Sequence, residues 1–395
     1  MLKALFLISL IAFILGQTAR VQFDNGIAVT FLDISVGLFV GAWFVRMLYQ
    51  RKSLKDRLFL PILLFFAAGT FSLVINSASL EFQQLMVSFL YALRWLIYAG
   101  LYFAVKDFSV ENKRKVSYML IIAGGAVVFL GFLQYFFYNN LRNLYYLQWD
   151  DHLYRMFSTF LDPNFAGVFF SLFLFLTLSR MADALKGKDK RSVYIFSALG
   201  LMTLLAVVLT YSRTALITLG VGIVTFLFLK GNKKLTFIFL LITVCFLLIF
   251  SNFGVEGRNP FRTASSVERI HSMQIALTII EKNPFFGVGF NAYRYAQNKY
   301  GFRTSEKWQI SHADAGTDNS FLFVWATTGI VGLLAYGFLW VRVLQSRIVR
   351  VGAQPLAIAT LCGLLASSFF LNTLFYPMLL YWIWVLLGIT ESKRP

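Results

Sequence analysis

Apolar and polar positions follow one another along this chain in long blocks. Twelve apolar runs, most of them about as long as the roughly 20 residues that span a hydrocarbon core, are separated by polar connections. The runs lie at 2–18, 26–45, 58–75, 82–104, 116–137, 164–179, 192–210, 214–229, 235–251, 319–341, 355–375 and 378–390. The pattern predicts an all-α polytopic membrane protein of about twelve transmembrane helices, with one integral membrane domain over residues 1–395.

Composition supports this prediction and excludes several other classes. The chain is 58% hydrophobic, above the roughly 45–50% of ordinary soluble domains. Its two cysteines both lie in apolar runs, and only three histidines occur, so neither a disulfide framework nor a zinc or iron site is expected. No metal or other cofactor is therefore expected.

The net charge of +18 fits membrane orientation. By count, 23 of the 36 basic residues lie at the termini and in the connections that follow runs two, four, six, eight and ten. Such clusters mark cytoplasmic segments, so both termini are predicted to be cytoplasmic, and anionic lipid accounts for the charge without nucleic acid. The first run is predicted to be a retained span, because Gly16–Arg20 is a poor signal-peptide cleavage site.

The longest polar connection, 252–318, is predicted to be a large external loop between the ninth and tenth spans. Ser265 and Glu268 have the spacing of a capping box, and Asn283-Pro284 would end the helix that follows. We expect this helix to be amphipathic and to lie over the outer mouth of the bundle. Its predicted apolar face consists of Ile270, Met273, Leu277 and Ile280.

Two arginines on this side are candidate anion ligands. Arg213 lies at the tight joint between runs seven and eight, where it is either a boundary residue reaching the interface or a ligand facing a polar cavity. Arg269 lies on the external helix, as a solvated residue paired with Glu268 or as a second anion contact. A guanidinium suits phosphate because it stays charged and offers a planar fork of donors.

Other polar residues stand at the starts of apolar runs. Asp318 and Asn319 open run ten, where Thr317 or Asp318 could simply cap the helix, and His312 precedes them. An imidazole or carboxylate there could also accept a proton from a sugar hydroxyl. Arg155 precedes run six, where Asp162 or Asn164 could cap the helix around Pro163.

Some charged residues lie inside the apolar runs, and others depart from the positive-inside distribution. Arg94 and Asp33 lie inside apolar runs, where they could form a mutual, structural pair. A set of arginines faces the predicted outer side, against the positive-inside trend: Arg142, Arg155, Arg213, Arg258, Arg262, Arg269, Arg294 and Arg303. An external basic cavity of this kind should bind a phosphorylated lipid head group.

Four separated segments of the chain resemble motifs of the O-antigen ligase and O-antigen polymerase superfamily of bacterial membrane glycosyltransferases. The segments are Arg155-Met-Phe-Ser-Thr-Phe-Leu-Asp-Pro-Asn164, Tyr211-Ser-Arg-Thr-Ala215, Arg269 with Asn283-Pro-Phe-Phe-Gly-Val-Gly289, and Asp318-Asn-Ser-Phe-Leu322 with Thr328-Gly-Ile-Val-Gly-Leu333. They occur in the family's order. One departure is that Asp318 occupies a position where some ligases have histidine, with His312 six residues upstream.

The resemblance implies metal-independent transfer of a glycan from undecaprenyl diphosphate at the outer face of the bacterial cytoplasmic membrane. The acceptor would be a hydroxyl on a lipid-linked sugar, a growing glycan or a protein. Arg213 and Arg269 would hold the diphosphate, and Asp318 or His312 would accept the proton. The resemblance leaves ligase and polymerase both open.

The remaining family positions are candidate substrate-binding residues: Arg155, Asn164, Tyr211 and Asn319. The main alternative function is a flippase or transporter of a lipid-linked glycan, and a structural membrane protein is a further one. A transporter should place its polar residues near the midplane, with broken helices and internal repeats.

Overall fold

The computed structural model describes residues 1–23, 27–54, 56–147, 149–232, 234–235, 263–303, 315–345 and 355–390. This part of the chain forms thirteen α-helices. They are α1 (Leu2–Leu15), α2 (Phe31–Tyr49), α3 (Phe59–Ile75), α4 (Phe82–Lys106), α5 (Val110–Phe137), α6 (Pro163–Lys186), α7 (Lys190–Leu209), α8 (Arg213–Leu229), α9 (Thr263–Lys282), α10 (Tyr293–Lys299), α11 (Ser320–Leu344), α12 (Pro355–Ser367) and α13 (Pro377–Thr390). Two short strands, β1 (Arg20–Gln22) and β2 (Ala28–Thr30), pair antiparallel between α1 and α2.

The all-α polytopic prediction is confirmed. Among the described residues, seven helices are long and apolar enough to cross a membrane: α1 with the turn that follows it, α2, α4, α5, α6, α7 and α11. Four shorter apolar helices, α3, α8, α12 and α13, correspond to further predicted runs. The predicted ninth run, 235–251, lies almost wholly outside the described residues.

Two helices form the centre of the bundle. The first half of α6 is buried on every side, as are most residues of α13. A helix that is apolar all round belongs in the interior, where its neighbours cover each face. Aromatic rings join these helices to α1, since Phe13 packs against Phe169, Tyr381 and Trp382.

Several helix ends differ from the predicted boundaries. α5 begins at Val110 and α6 ends at Lys186, so both helices continue through basic stretches that the sequence pattern assigned to connections. Lysine and arginine are good helix formers whose charged ends reach water from a helix that protrudes beyond the apolar layer. α12 ends at Ser367, eight residues before the predicted end of run eleven.

Run ten is one predicted span, but the helix that it forms is broken in the middle. Gly329 in α11 has φ 67° and ψ −170°, values that glycine adopts without the strain of a side chain. The break exposes backbone groups of α11, and the segment 284–289 forms hydrogen bonds with them. Val288 and Gly289 donate to the carbonyls of Ala326 and Thr327 at 3.0 and 2.9 Å, and the Ile330 amide donates to the Pro284 carbonyl.

The helix predicted after Ser265 is present as α9, but its predicted apolar face is wrong in part. Ile270 is 57% exposed and Leu277 is 45% exposed. The buried face instead comprises Ile275, Ala276, Ile279 and Ile280, which pack with α10 and with the first half of α11 in a small separate core. Apolar residues occur on both sides of α9, so sequence periodicity alone does not select the face that packs.

Candidate functional site

Three helices begin beside one another at one end of the bundle, and each has a side-chain cap. Asp162 accepts hydrogen bonds from the amides of Asn164 and Phe165 at the start of α6. Ser212 caps α8 by accepting from the amide of Ala215, and Asn319 caps α11. Because helix N-termini carry partial positive charge, this end of the bundle favours anions.

Arg155 links the start of α6 to the turn before α8. Its side chain is 3% exposed, and its Nε donates to the Thr210 carbonyl at 2.9 Å. Its Nη2 donates to Oδ1 of Asn164 at 3.1 Å. The segment before α6 and the turn before α8 are therefore held together through one guanidinium.

The turn that carries Arg213 is shaped by close packing. Tyr211 has a positive φ of 48°, and Arg213 is the first residue of α8, so the joint with α7 is as short as predicted. Gly167 of α6 lies against this turn, and a Cβ added there would be 2.6 Å from the Cβ of Ala215. Glycine at 167 thus lets the start of α8 approach α6 and places the half-buried Arg213 beside it.

Helix α9 brings Arg269 to the same place. Nη1 of Arg269 donates to Oγ1 of Thr214 at 3.4 Å, next to Arg213 in the chain. One turn further on, Oγ of Ser272 lies 3.1 Å from Oγ1 of Thr317 and accepts from the amide of Asp318 at 3.4 Å. Helix α9 therefore contacts both the start of α8, which we call the Ser-Arg turn (Ser212, Arg213 and Thr214), and the start of α11.

Two partly buried carboxyl groups, those of Asp162 and Asp318, share this region. Burial raises the pKa of Asp318, while Arg269 acts in the opposite direction and Asp162 and Glu268 add to the rise. Burial also raises the pKa of Asp162, against its backbone hydrogen bonds and the nearby charges of Arg155 and Arg269. The site thus combines arginines with carboxyl groups that ionise less readily than usual, a combination typical of functional sites.

The sequence pattern predicts Asp162 only as a helix cap, and it does cap α6. Its burial beside Arg155 and Arg269 adds it to the candidate site. The signal in the sequence was its position in the Leu-Asp-Pro-Asn segment, seven residues after Arg155. Distance along the chain did not indicate that Arg269, more than a hundred residues later, would lie close enough to act on it.

Most of the predicted site residues meet at this end. The structure joins Arg155 to Asn164 and Arg269 to the Ser-Arg turn, and it places Asp318 and Asn319 beside α9. Asn319, rather than Thr317 or Asp318, is the cap of α11, with Oδ1 accepting from Phe321 and Leu322. His312, Arg258 and Arg262 lie outside the described residues. The described residues include no group of three or more His, Cys, Asp or Glu side chains arranged to hold a metal.

A second polar group occupies the same end of the bundle, closer to α2 and α4. Nε of Arg94 lies 2.7 Å from Oδ1 of Asp33, and the Tyr98 hydroxyl donates to the same oxygen. Asp33 also forms a capping box with Thr30 at the start of α2. The pair that the sequence analysis allowed for is therefore present, and it has a structural role.

These features define a class: a multi-pass helical membrane protein with a basic, partly buried polar site where three of its helices begin. Residues 198–337 match the family model described as O-Antigen ligase, which confirms the resemblance to the O-antigen ligase and polymerase superfamily. The match includes Arg213, Arg269 and Asp318, whereas Arg155 and Asn164 precede it. No curated protein matches the chain.

The family match covers about a third of the chain and supports a general character for the protein. It indicates a glycosyltransferase-type enzyme of the O-antigen ligase or polymerase kind, embedded in a bacterial membrane as a multi-pass protein. The family implies a lipid-linked glycan as substrate and the bilayer as surroundings.

Proposed function

We propose that the protein transfers a glycan from undecaprenyl diphosphate to a hydroxyl acceptor on the outer side of the bacterial cytoplasmic membrane, without a metal. Both termini would be cytoplasmic, and 252–318 would be the large external loop. The acceptor is a hydroxyl of a lipid-linked sugar, a growing polysaccharide or a protein, so both ligase and polymerase activities fit.

The observation that supports this proposal most strongly is the contact between Arg269 and Thr214 at 3.4 Å. It brings α9 of the external segment to the N-terminus of α8, where Arg213 begins the helix. Two guanidinium groups and a helix N-terminus then lie in one small region, which suits a diphosphate carrying more than one negative charge.

In the proposed reaction, the acceptor hydroxyl oxygen forms a bond to the anomeric carbon of the donor glycan. The bond from that carbon to the diphosphate oxygen breaks, and its electron pair leaves with the diphosphate. Arg213 and Arg269 stabilise the negative charge that develops there, because fixed cations in a partly buried site need little rearrangement during the reaction. Arg155 assists binding, together with Asn164, Tyr211 and Asn319.

The acceptor proton passes to Asp318 or to His312. A carboxyl group with a raised pKa is a stronger base once ionised, so Asp318 fits this role. Transfer should then increase as pH rises through the pKa of Asp318 in the folded protein, which burial raises from its ordinary value. Because that pKa is raised on folding, ionised Asp318 costs stability in the same pH window. Asp318→Asn should therefore abolish this pH step without destabilising the protein at neutral pH.

The central experiment is glycan transfer in proteoliposomes containing the lipid-diphosphate donor and an acceptor. Arg213→Ala should reduce transfer roughly a hundred- to thousandfold, the usual cost of removing a preorganised donor to a developing anion. Arg142→Ala is a matched control, since Arg142 is an exposed arginine of the neighbouring connection that pairs with Asp151. Undiminished transfer by folded Arg213→Ala protein would contradict the proposal.

One observation bears on the alternative of a flippase. The break in α11 is a feature that transporters use to expose backbone groups to a substrate. Here, however, the carbonyls of Ala326 and Thr327 accept hydrogen bonds from the segment 284–289. The break therefore serves to dock that segment, and product analysis separates the two functions, because an enzyme makes a new glycosidic bond whereas a flippase only relocates the glycan.

A further inference from the structure

A cavity of about 290 Å³ lies between α5, α6, α12 and α13, away from the candidate functional site. On α6 it is lined by residues 175–180, whereas the site lies at the start of this helix, at Asp162 and Pro163. At a rise of about 1.5 Å per residue, the cavity is some 18–26 Å along the helix from the site. That distance places it near the opposite end of a hydrocarbon layer about 30 Å thick.

The lining of this cavity combines an apolar wall with a basic rim. Leucine, isoleucine, alanine and phenylalanine side chains of α6, α12 and α13 form most of the wall. Lys113, Arg114 and Arg180 contribute the charge, and no acidic side chain of the described residues lines the cavity. Nη1 of Arg180 also lies 3.3 Å from Oδ2 of Asp183, outside the lining. Lys113 is only 7% exposed, so its charge is held inside the protein surface.

Two polar atoms of this lining have no hydrogen-bond partner among the described residues. They are Oγ of Ser117 and Nε of Arg180, both buried. Ser117 itself is 3% exposed and lies one helical turn from Lys113 and Arg114 on α5. Buried donors are usually satisfied, so two such atoms beside one cavity indicate a polar ligand that accepts hydrogen bonds.

We propose that this cavity binds an anionic glycerophospholipid of the adjacent membrane leaflet. The phosphate contacts the basic rim and accepts hydrogen bonds from the Ser117 and Arg180 side chains after small side-chain rotations. The glycerol and the first carbon atoms of the acyl chains occupy the apolar wall between α12 and α13. This site is separate from the proposed diphosphate site and does not depend on it.

The size and the charge of the cavity select this occupant. Its volume is at the lower end of the roughly 300–1,000 Å³ of small-molecule sites, enough for a head group and the start of the chains. Three basic groups beside an apolar wall match a lipid that is both negatively charged and hydrophobic.

The test is native mass spectrometry of the full-length protein in detergent with phosphatidylglycerol, with phosphatidylcholine of the same chains, or with glycerol phosphate. The unmodified protein should retain phosphatidylglycerol in preference to the other two. The double variant Lys113→Gln/Arg180→Gln should bind phosphatidylglycerol at least about tenfold more weakly, since each cation near a membrane surface contributes about 1 kcal/mol. The control variant Lys186→Gln/Arg191→Gln removes two exposed basic residues of the same end and should bind normally.

A second variant tests the contribution of the apolar wall without changing any charge. Ala357→Phe fills the apolar wall, leaves every basic residue in place and should also reduce retention of phosphatidylglycerol. If the double charge variant does not fold, retention of phosphatidylglycerol by Ala357→Phe tests the proposal by itself. Equal retention of phosphatidylglycerol and phosphatidylcholine, binding of glycerol phosphate as tight as that of the lipid, or full retention by Ala357→Phe would each overturn the proposal.

Discussion

Two arginines of this membrane protein are held in opposite ways. Arg94 lies 2.7 Å from the carboxylate of Asp33, which neutralises it. Arg155, which is 3% exposed, donates to two neutral oxygen atoms, the Thr210 carbonyl and the Asn164 side chain. Sequence alone marks both as arginines in unusual places. The partners show that Arg94 locks α2 to α4, whereas Arg155 joins the segment before α6 to the turn before α8.

The comparison predicts the largest effect on stability for Arg94. Arg94→Leu leaves the Asp33 carboxylate, whose side chain is 12% exposed, without its counter-ion, and removing one partner of a buried pair typically costs about 3–5 kcal/mol. We expect a loss of unfolding free energy of that order, measured by chemical or thermal unfolding of the purified protein.

Restoring charge balance is the control for that experiment. Asp33→Leu/Arg94→Leu removes both charges and should recover much of the lost stability, although the cap on α2 that Asp33 provides is also lost. Equal instability of the single and double variants would show that the ion pair is not the reason for the effect.

The opposite outcome is expected for Arg269 in the proposed site. Arg269→Gln keeps a side chain able to contact Thr214 but removes the charge, so transfer should fall about a hundred- to thousandfold, or roughly 3–4 kcal/mol in activation free energy. Unfolding should change little, since the side chain is only partly buried. The measurement is the rate of glycan transfer together with the unfolding curve, and Arg294→Gln on α10 is a control of the same chemistry.

Arg213 and Arg269 should also act together. If both contact one diphosphate, the double variant should lose less activity than the product of the two single losses, because the second substitution removes a contact from a site already weakened. Fully independent losses would indicate that the two arginines bind different groups.

A third region decides whether Arg269 can reach the site. Gly329 breaks α11, and a side chain there would meet the carbonyl of Phe285 in the docked segment. Gly329→Ala combines this clash with an unfavourable positive φ, so we expect a cost of about 1–3 kcal/mol in stability. Because the docked segment follows α9 directly, transfer should also fall. Gly337→Ala, in open space on the same helix, is the matched control.

Periodicity and charge predicted the helical membrane fold because a long apolar run has few other stable forms in a bilayer. The motifs also predicted most of the cluster, since Arg155, Arg269 and Asp318 do come together. The break at Gly329 was not predicted, because its backbone groups are satisfied by a segment some forty residues earlier in the chain. The face of α9 was predicted wrongly for a related reason: apolar residues on both sides left the choice to tertiary packing.

The smallest expected effect separates two roles of Asn319. Its Oδ1 accepts from the amides of Phe321 and Leu322 at 2.9 and 3.0 Å, so Asn319→Ala should cost about 1 kcal/mol of stability as a lost helix cap. Asn319→Asp keeps the cap and should keep that stability. If Asn319 also binds the glycan through its amide, Asn319→Asp will still lower transfer, because a carboxylate cannot donate and repels the diphosphate. Normal transfer by Asn319→Asp would show that Asn319 only caps α11. Substrate binding would then rest on the arginines of the site.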